Sequence, residues 1–425
     1  MLLTRFWKNC KGNVAPMVGI AIIPLLGAVG AAVDYSRASA TRVQFQNALD
    51  STALMLSKTA STDTSTDLQS QATNYFTAVF NRPDVQNVQV TANYSNSIGS
   101  KVDLTASATI ATSFLSVLNI DHINISAATT STWGNTRLRV ALVLDNTGSM
   151  ASSSKMTALK TASQNLLNTL KGVATTPEDI YVSIIPFNKD VNVDPATVAQ
   201  TWLRWDLWEA VNGTCSKTSF HTQSSCVANG KIWTPANHTT WNGCVTDRDQ
   251  NFDTTNDVPI AGSTLYPTEQ YTSCPVSLMG LSNDWTALSN KITAMQPVGN
   301  TNQAIGLQMG WQSLTASPFT IPAEDPNYKY SHVIILLTDG LNTQDRWYTS
   351  QSSIDARQQM TCDNVKAAGV TVYTVQVNTS GDPTSTLLES CASDSNKFFL
   401  LTSADAIVTT FNQIGTALTN LRLAM

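Results

Sequence analysis

The sequence predicts an α/β protein with three parts: an N-terminal transmembrane helix, a small α+β spacer, and a doubly wound, mostly parallel domain broken by a disulfide-rich insertion. Three observations predict it. Val14 to Val33 carries no charged residue over 20 positions. From Leu138 onward, strand-length apolar runs (LRVALVLD, DIYVSIIPF, SHVIILLTD, GVTVYTVQV, KFFLLT) alternate with helical stretches. Six of the seven cysteines lie beyond residue 200, spaced too widely for C-x-x-C chemistry. The 425 residues are enough for several units, and the pattern divides them at 1–60, 61–136 and 137–425, with the insertion at about 195–284. Net charge is −5 and only 13% of residues are charged, which argues against nucleic acid as a partner.

At about 1.5 Å per residue, Val14–Val33 makes a helix roughly 30 Å long, the thickness of a bilayer core. Arg5, Lys8 and Lys11 precede it and Asp34 follows, so the positive-inside rule places the N-terminus in the cytoplasm and the body outside. Pro16 and Pro24 are tolerable in a membrane helix. The competing reading is a cleaved signal peptide with Ala28 to Ala32 as the cut region, but the apolar run exceeds a signal core of about 7 to 15 residues. Val43, Leu49, Ala53, Leu54 and Leu56 continue a helical stripe free of Gly and Pro, so one helix is expected to leave the membrane and run on.

The strings KGNVAPMVGIAIIPLLGAVGAAVDYSRA and QNALDSTAL make the first sixty residues resemble TadE/TadG-like proteins of Flp (tight-adherence) pilus systems. Pilin-type processing would place a Glu five positions after the Gly, whereas Gly12 is followed at that spacing by Met17. The resemblance therefore implies the anchored, TadG-like branch. It also implies a single-pass protein of the bacterial inner membrane with a periplasmic body, the cell surface being the alternative.

In the spacer, STDTSTD reads as a polar loop, and Leu68 to Phe80 as a helix. VQNVQVTANY, KVDLTASATIAT and INISAATTST alternate with period two as strands, with SFLSVLNI as a short helix. Asp121 and His122 read as solvated surface. The unit is expected to be structural.

In a doubly wound sheet, ligands bind beyond the carboxyl ends of the strands. Three loops fall there. VALVLDNTGSM supplies Asp145, Thr147 and Ser149, PVGNTNQAIGL supplies Thr301, and LLTDG supplies Asp339. All are hard oxygen donors, suited to Mg2+ (or Mn2+). Asn146 and Gly148 permit the tight turn that brings alternate side chains together. The bland reading makes Thr147 or Ser149 a cap of the next helix, Ser152–Leu170, and Asp339 the start of a turn.

This Asp-x-Thr-x-Ser…Thr…Asp pattern resembles the metal-ion-dependent adhesion site of von Willebrand factor type A domains, with Thr147 where the family pattern has Ser. The resemblance implies that Thr147, Ser149 and Thr301 ligate through hydroxyls, while Asp145 and Asp339 act directly or through water. A partner's carboxylate would complete the shell.

The insertion has little periodicity, with Cys215, Cys226, Cys244, Cys274 and Trp202, Trp205, Trp208, Trp233 and Trp241. Disulfides would replace the core it lacks, in an oxidising compartment. Cys362 is expected to pair with Cys391, and the other four among themselves. The tryptophans fit either partner anchors or a local minicore. Ile407, Phe411, Ile414, Leu418 and Leu421 space a last amphipathic helix.

The histidines 122, 221, 238 and 332 are scattered and no H-E-x-x-H or G-x-x-x-x-G-K occurs. Ser152-x-x-Lys155 lacks the K-T-G of a β-lactamase and reads as a helix start. The expectation is a non-enzymatic, membrane-anchored Flp/Tad pilus assembly or adhesion protein whose metal site grips pilus components or other envelope or surface proteins. The alternative is a structural tether without metal-dependent binding.

Overall fold

The computed structural model describes residues 14–423, apart from 58, 61–62, 96–99, 134–135 and 380. Arg5, Lys8, Cys10, Lys11 and Gly12 lie outside the described residues, as do the side chains of Pro16 and Leu421. The chain forms two compact units, residues 1–135 and Thr136–Ala424.

In the first unit, α1 (Val14–Leu56) is one continuous helix of 43 residues with Pro24 inside it. Its apolar first half is long and hydrophobic enough to cross a membrane, with a mean hydropathy of 2.0 over its best window. Its second half packs with α2 (Ser65–Val79) on one face of an antiparallel sheet, β1 (Val85–Ser95), β2 (Ser100–Ala111) and β3 (His122–Trp133). Phe45 of α1 meets Phe76 and Phe80 edge-on at 5.0 and 5.1 Å. Residues on both sides of position 60 thus share one core. Period-two burial along β2, with Val102, Leu104, Ala106, Ala108 and Ile110 inward, is what the alternation predicts.

The second unit is built on β4 (Thr136–Asp145), α3 (Lys155–Val173), β5 (Ile180–Phe187), β6 (Val191–Asn192), β7 (Cys244–Val245), β8 (Met279–Ser282), α4 (Trp285–Ala294), α5 (Gln303–Thr315), β9 (Lys329–Thr338), α6 (Gln351–Ala367), β10 (Thr371–Val377), α7 (Thr386–Cys391), β11 (Phe398–Leu401) and α8 (Asp405–Leu423). The sheet order is β7-β6-β5-β4-β9-β10-β11, with β8 also on β5. The β5-β4-β9-β10-β11 core is parallel. Its strands are apolar on both faces because both are covered. Leu138, Val140, Leu142 and Leu144 face α3 and α8, while Ala141 and Val143 face α5.

Two sequence expectations shift. The helix after Asp145 begins at Lys155, because Gly148–Ala151 forms a 3-10 turn and Ser153 and Ser154 adopt positive φ (53° and 58°), interrupting right-handed winding. The insertion joins the sheet twice before residue 284, at β7, antiparallel to β6, and at β8, antiparallel to β5. Within it, Cys215–Cys226 and Cys244–Cys274 are bonded, and Cys362–Cys391 ties α6 to α7. Trp208 and Trp241 are buried, and Trp205 stacks on His238 at 3.8 Å, so these aromatics form a minicore.

Candidate metal centre

Chain order places β5 on one side of β4 and β9 on the other. The loops leaving β4 and β9 therefore diverge, opening a crevice at this switch point. Leu144 pairs with Leu337, which sets Asp145 beside Thr338. Asp145 is fully buried. One of its oxygens accepts from the Thr147 N–H at 2.8 Å and the other from the Thr338 hydroxyl at 2.7 Å. The Thr147 and Ser149 hydroxyls are 2.9 Å apart, and Ser149 donates to Asp339 Oδ1 at 2.6 Å. Thr147 stands at the N-cap of the 3-10 turn yet makes no capping bond. Its hydroxyl turns to Ser149 instead.

The third loop is stitched to the first by backbone. Val298 N–H donates to Asn146 C=O at 2.8 Å, and Gly148 N–H to Gly299 C=O at 3.0 Å. Gly299 has φ +81°, and a Cβ there would sit 2.7 Å from Asn188 Nδ2, so the stitch requires glycine. Thr301 is buried beside it. Its N–H donates to Thr343 Oγ1 at 2.8 Å, and its C=O accepts from Thr343 and Gln344 N–H. Asn302 then caps α5. Asp145, Thr147, Ser149 and Asp339 are thus joined by direct hydrogen bonds through the cluster, whereas Thr301 is tied by its backbone to the loop after β9, and its neighbours Val298 and Gly299 tie it to the β4 loop.

Burial, and then the Asp339 charge, push the Asp145 carboxyl up to about 7, against the pull of the Thr147 and Thr338 hydrogen bonds. Two carboxylates held together with hydroxyls, in a place that resists charge, form a donor set that suits a hard cation. Among the described residues no group of three or more His, Cys, Asp or Glu converges, and the side-chain partners of the two carboxylates here are hydroxyls and one lysine.

Sequence reasoning missed two participants. Thr338 orients Asp145. Lys155, with a side chain only 3% exposed, pairs with Asp339 Oδ2, placing an ammonium in the crevice. A lysine at a helix start carries no sequence signal of burial. A cleft of about 470 Å3 adjoins the Thr301 side, lined by Lys189, Trp208, Glu269, Gln344, Arg346 and Trp347 among others.

The mostly parallel doubly wound sheet, with an oxygen-lined crevice at its switch point, has the fold of a von Willebrand factor type A domain. The family model for that domain matches residues 265–413, which include Thr301 and Asp339 but not the Asp145 loop. The Flp pilus-assembly TadE/G-like family model matches residues 12–55. The chain therefore joins a TadE/G-like segment to a von Willebrand factor type A domain. No curated protein matches it significantly. Among solved structures, it is similar to the pilus adhesin SpaC from Lactobacillus rhamnosus GG, with 15% identity and a TM-score of 0.38 over 80% of this chain and 35% of that one. It is also similar to the vWF domain of the type V pili tip protein Mfa5 from Porphyromonas gingivalis, with 11% identity and a TM-score of 0.39 over 68% and 97%. A third is proximal thread matrix protein 1 from the mussel byssus with a zinc-occupied MIDAS motif, with 14% identity and a TM-score of 0.33 over 67% and 46%. The chain spans about a third of the length of SpaC.

Proposed function

We propose that this is a Flp/Tad pilus assembly or adhesion protein that binds a protein partner through Mg2+ (or Mn2+). Residues 14–33 anchor it in the inner membrane, with the N-terminus cytoplasmic and the body periplasmic. Asp145, Thr147, Ser149, Thr301 and Asp339 hold the ion. The observation that carries the reading is that the Thr147 hydroxyl meets the Ser149 hydroxyl, which in turn donates to Asp339, instead of capping the 3-10 turn that follows it. When bound, the cation supplies an electrophilic position for a carboxylate on a pilus component or another envelope protein. Thr338 fixes the Asp145 carboxylate, and the stitched 298–301 loop fixes Thr301. The cleft beside Thr301 gives the partner a second foothold.

Calorimetry on the full chain in detergent tests it. Heat is expected with MgCl2 or MnCl2, absent for Asp145→Asn, and partner capture from envelope extract should be lost with EDTA. Capture unchanged by EDTA and by the substitution would overturn it. The Lys155–Asp339 pair favours a second reading, in which the lysine neutralises the crevice permanently and the domain is a metal-free tether. That outcome would give no heat with either ion.

A further inference from the structure

Ser113 to Ile120 form a turn with an unusual surface. Val117 is 85% exposed and Phe114 53%, and Leu118 and Ile120 are exposed beside them. The segment carries no charged residue. Burying such side chains stabilises by about 25 cal/mol per Å2 of apolar area, so a cluster of four left outside marks a contact surface.

The turn is well defined. Leu115–Leu118 is a 3-10 turn closed by Asn119 in the left-handed region, with Ile120 N–H on Leu115 C=O at 3.1 Å. Three of its backbone N–H groups, from Ser113, Phe114 and Leu115, converge on the buried Asp34 carboxylate at 3.1, 2.8 and 2.8 Å. Arg37 adds a bond to the Ser113 hydroxyl at 3.2 Å.

Asp34 is the first charged residue after the apolar segment of α1. The tether therefore fixes the turn where the helix leaves the membrane. Phe114 reaches further. A Cβ on Gly30 would lie 2.5 Å from the Phe114 Cβ, so the ring's base occupies the groove that glycine leaves. Gly30 is one helical turn before Asp34, about 6 Å deeper into the apolar stretch. That depth matches the roughly 5–10 Å to which interfacial apolar groups sink at the headgroup and acyl boundary. Leu26, Val29 and Val33, exposed on α1, carry the same apolar character into the membrane span.

We propose that Phe114, Val117, Leu118 and Ile120 dock into the lipid surface beside the membrane span, a second, non-spanning contact that fixes the orientation of the first unit on the bilayer. It rests on reading residues 14–33 as a membrane anchor. The occupant is lipid, since the patch is wholly apolar and is held at the depth of an apolar helix segment.

The test uses the full chain, with Cys10→Ser, in nanodiscs of phosphatidylethanolamine and phosphatidylglycerol. An environment-sensitive nitrobenzoxadiazole label is placed at Val117→Cys, at Val29→Cys in the span, or at Ser107→Cys on the exposed sheet face. Shallow doxyl-labelled lipids should roughly halve the emission of the label at 117, as for an interfacial side chain, and leave 107 unaffected. Quenching at 29 without quenching at 117 overturns the docking and leaves the anchor standing. Quenching at neither shows that the anchor reading itself has failed, and the inference falls with it. Val117→Cys cross-linking between copies, with no lipid quenching, would show that a second copy covers the patch and also overturns it.

Discussion

Two clusters of buried or half-buried acids in the second unit are built in opposite ways. In the insertion, guanidinium groups meet the carboxylates. Arg204 grips Asp249 with bonds of 2.6 and 2.9 Å, Arg346 adds a third at 2.8 Å, and Arg357 pairs with Asp253. The Arg204 bond holds Asp249 well below the usual carboxylate range. At the crevice, hydroxyls and one lysine meet the carboxylates, and Asp145 is pushed up to about 7. Guanidinium pairing settles a charge within the fold. Hydroxyl pairing fixes a carboxylate in place while leaving its charge to be met by something else. The first cluster builds the insertion, and the second is the one proposed to hold the cation.

The contrast predicts opposite signs. Arg357→Ala leaves Asp253 buried without its partner and should cost about 3 kcal/mol, while leaving metal heat intact. Asp145→Asn should lower metal affinity by more than about 100-fold, beyond what loss of an outer-shell partner costs. It should also raise the melting temperature of the metal-free protein near pH 8, where burial of the ionised carboxylate opposes folding. Parallel melting and calorimetry decide it, and a fall in melting temperature for both variants would erase the distinction between the clusters.

Asp247 sharpens the comparison, because it lies between the two. It accepts from Asn302, which caps α5, and from the Arg346 N–H, yet burial and then the Asp345 charge push it up to about 7. Below the ordinary carboxyl value, both folded and unfolded chains hold this proton. Between about 4 and about 7 the unfolded chain releases it and the folded chain keeps it, so stability falls as pH rises through that window and then levels. Asp247→Asn should flatten this fall in metal-free protein, read as melting temperature against pH. An unchanged slope would mean that Asp247 is ionised in the fold.

How much of this the sequence carried depended on the range of the interaction. Apolar runs gave the strands, because each covered strand must be apolar along its whole length. Asp145, Thr147 and Ser149 were legible because they close such a run, Asp339 because its Thr-Asp-Gly turn closes another, and Thr301 because it stands just before a helix, although the element before its loop is the helix α4 and not a strand. The helix start at Lys155 was not, since it depends on Ser153 and Ser154 taking left-handed backbone, a conformation their side chains do not announce. The Arg357–Asp253 and Asn302–Asp247 contacts join α6 and α5 to an insertion without periodicity, and only the folded chain brings them together. The Trp minicore was open between packing and binding for the same reason, as composition does not say which face of a ring is covered.

Lys155 is the smallest expected effect and the most direct test of what the crevice is for. Its ammonium meets Asp339 Oδ2, while Ser149 holds Oδ1. If the lysine occupies the place proposed for the cation, metal binding must loosen that pair, and its cost is charged against affinity. Lys155→Met keeps the stem and removes the charge, so Mg2+ affinity should rise by about ten-fold, or about 1.4 kcal/mol, with the metal-free protein less stable. If the lysine instead positions Asp339, the same variant should bind Mg2+ more weakly. Calorimetric titration of the variant beside the native chain separates the two by the direction of one shift, because competition and positioning move the dissociation constant in opposite senses.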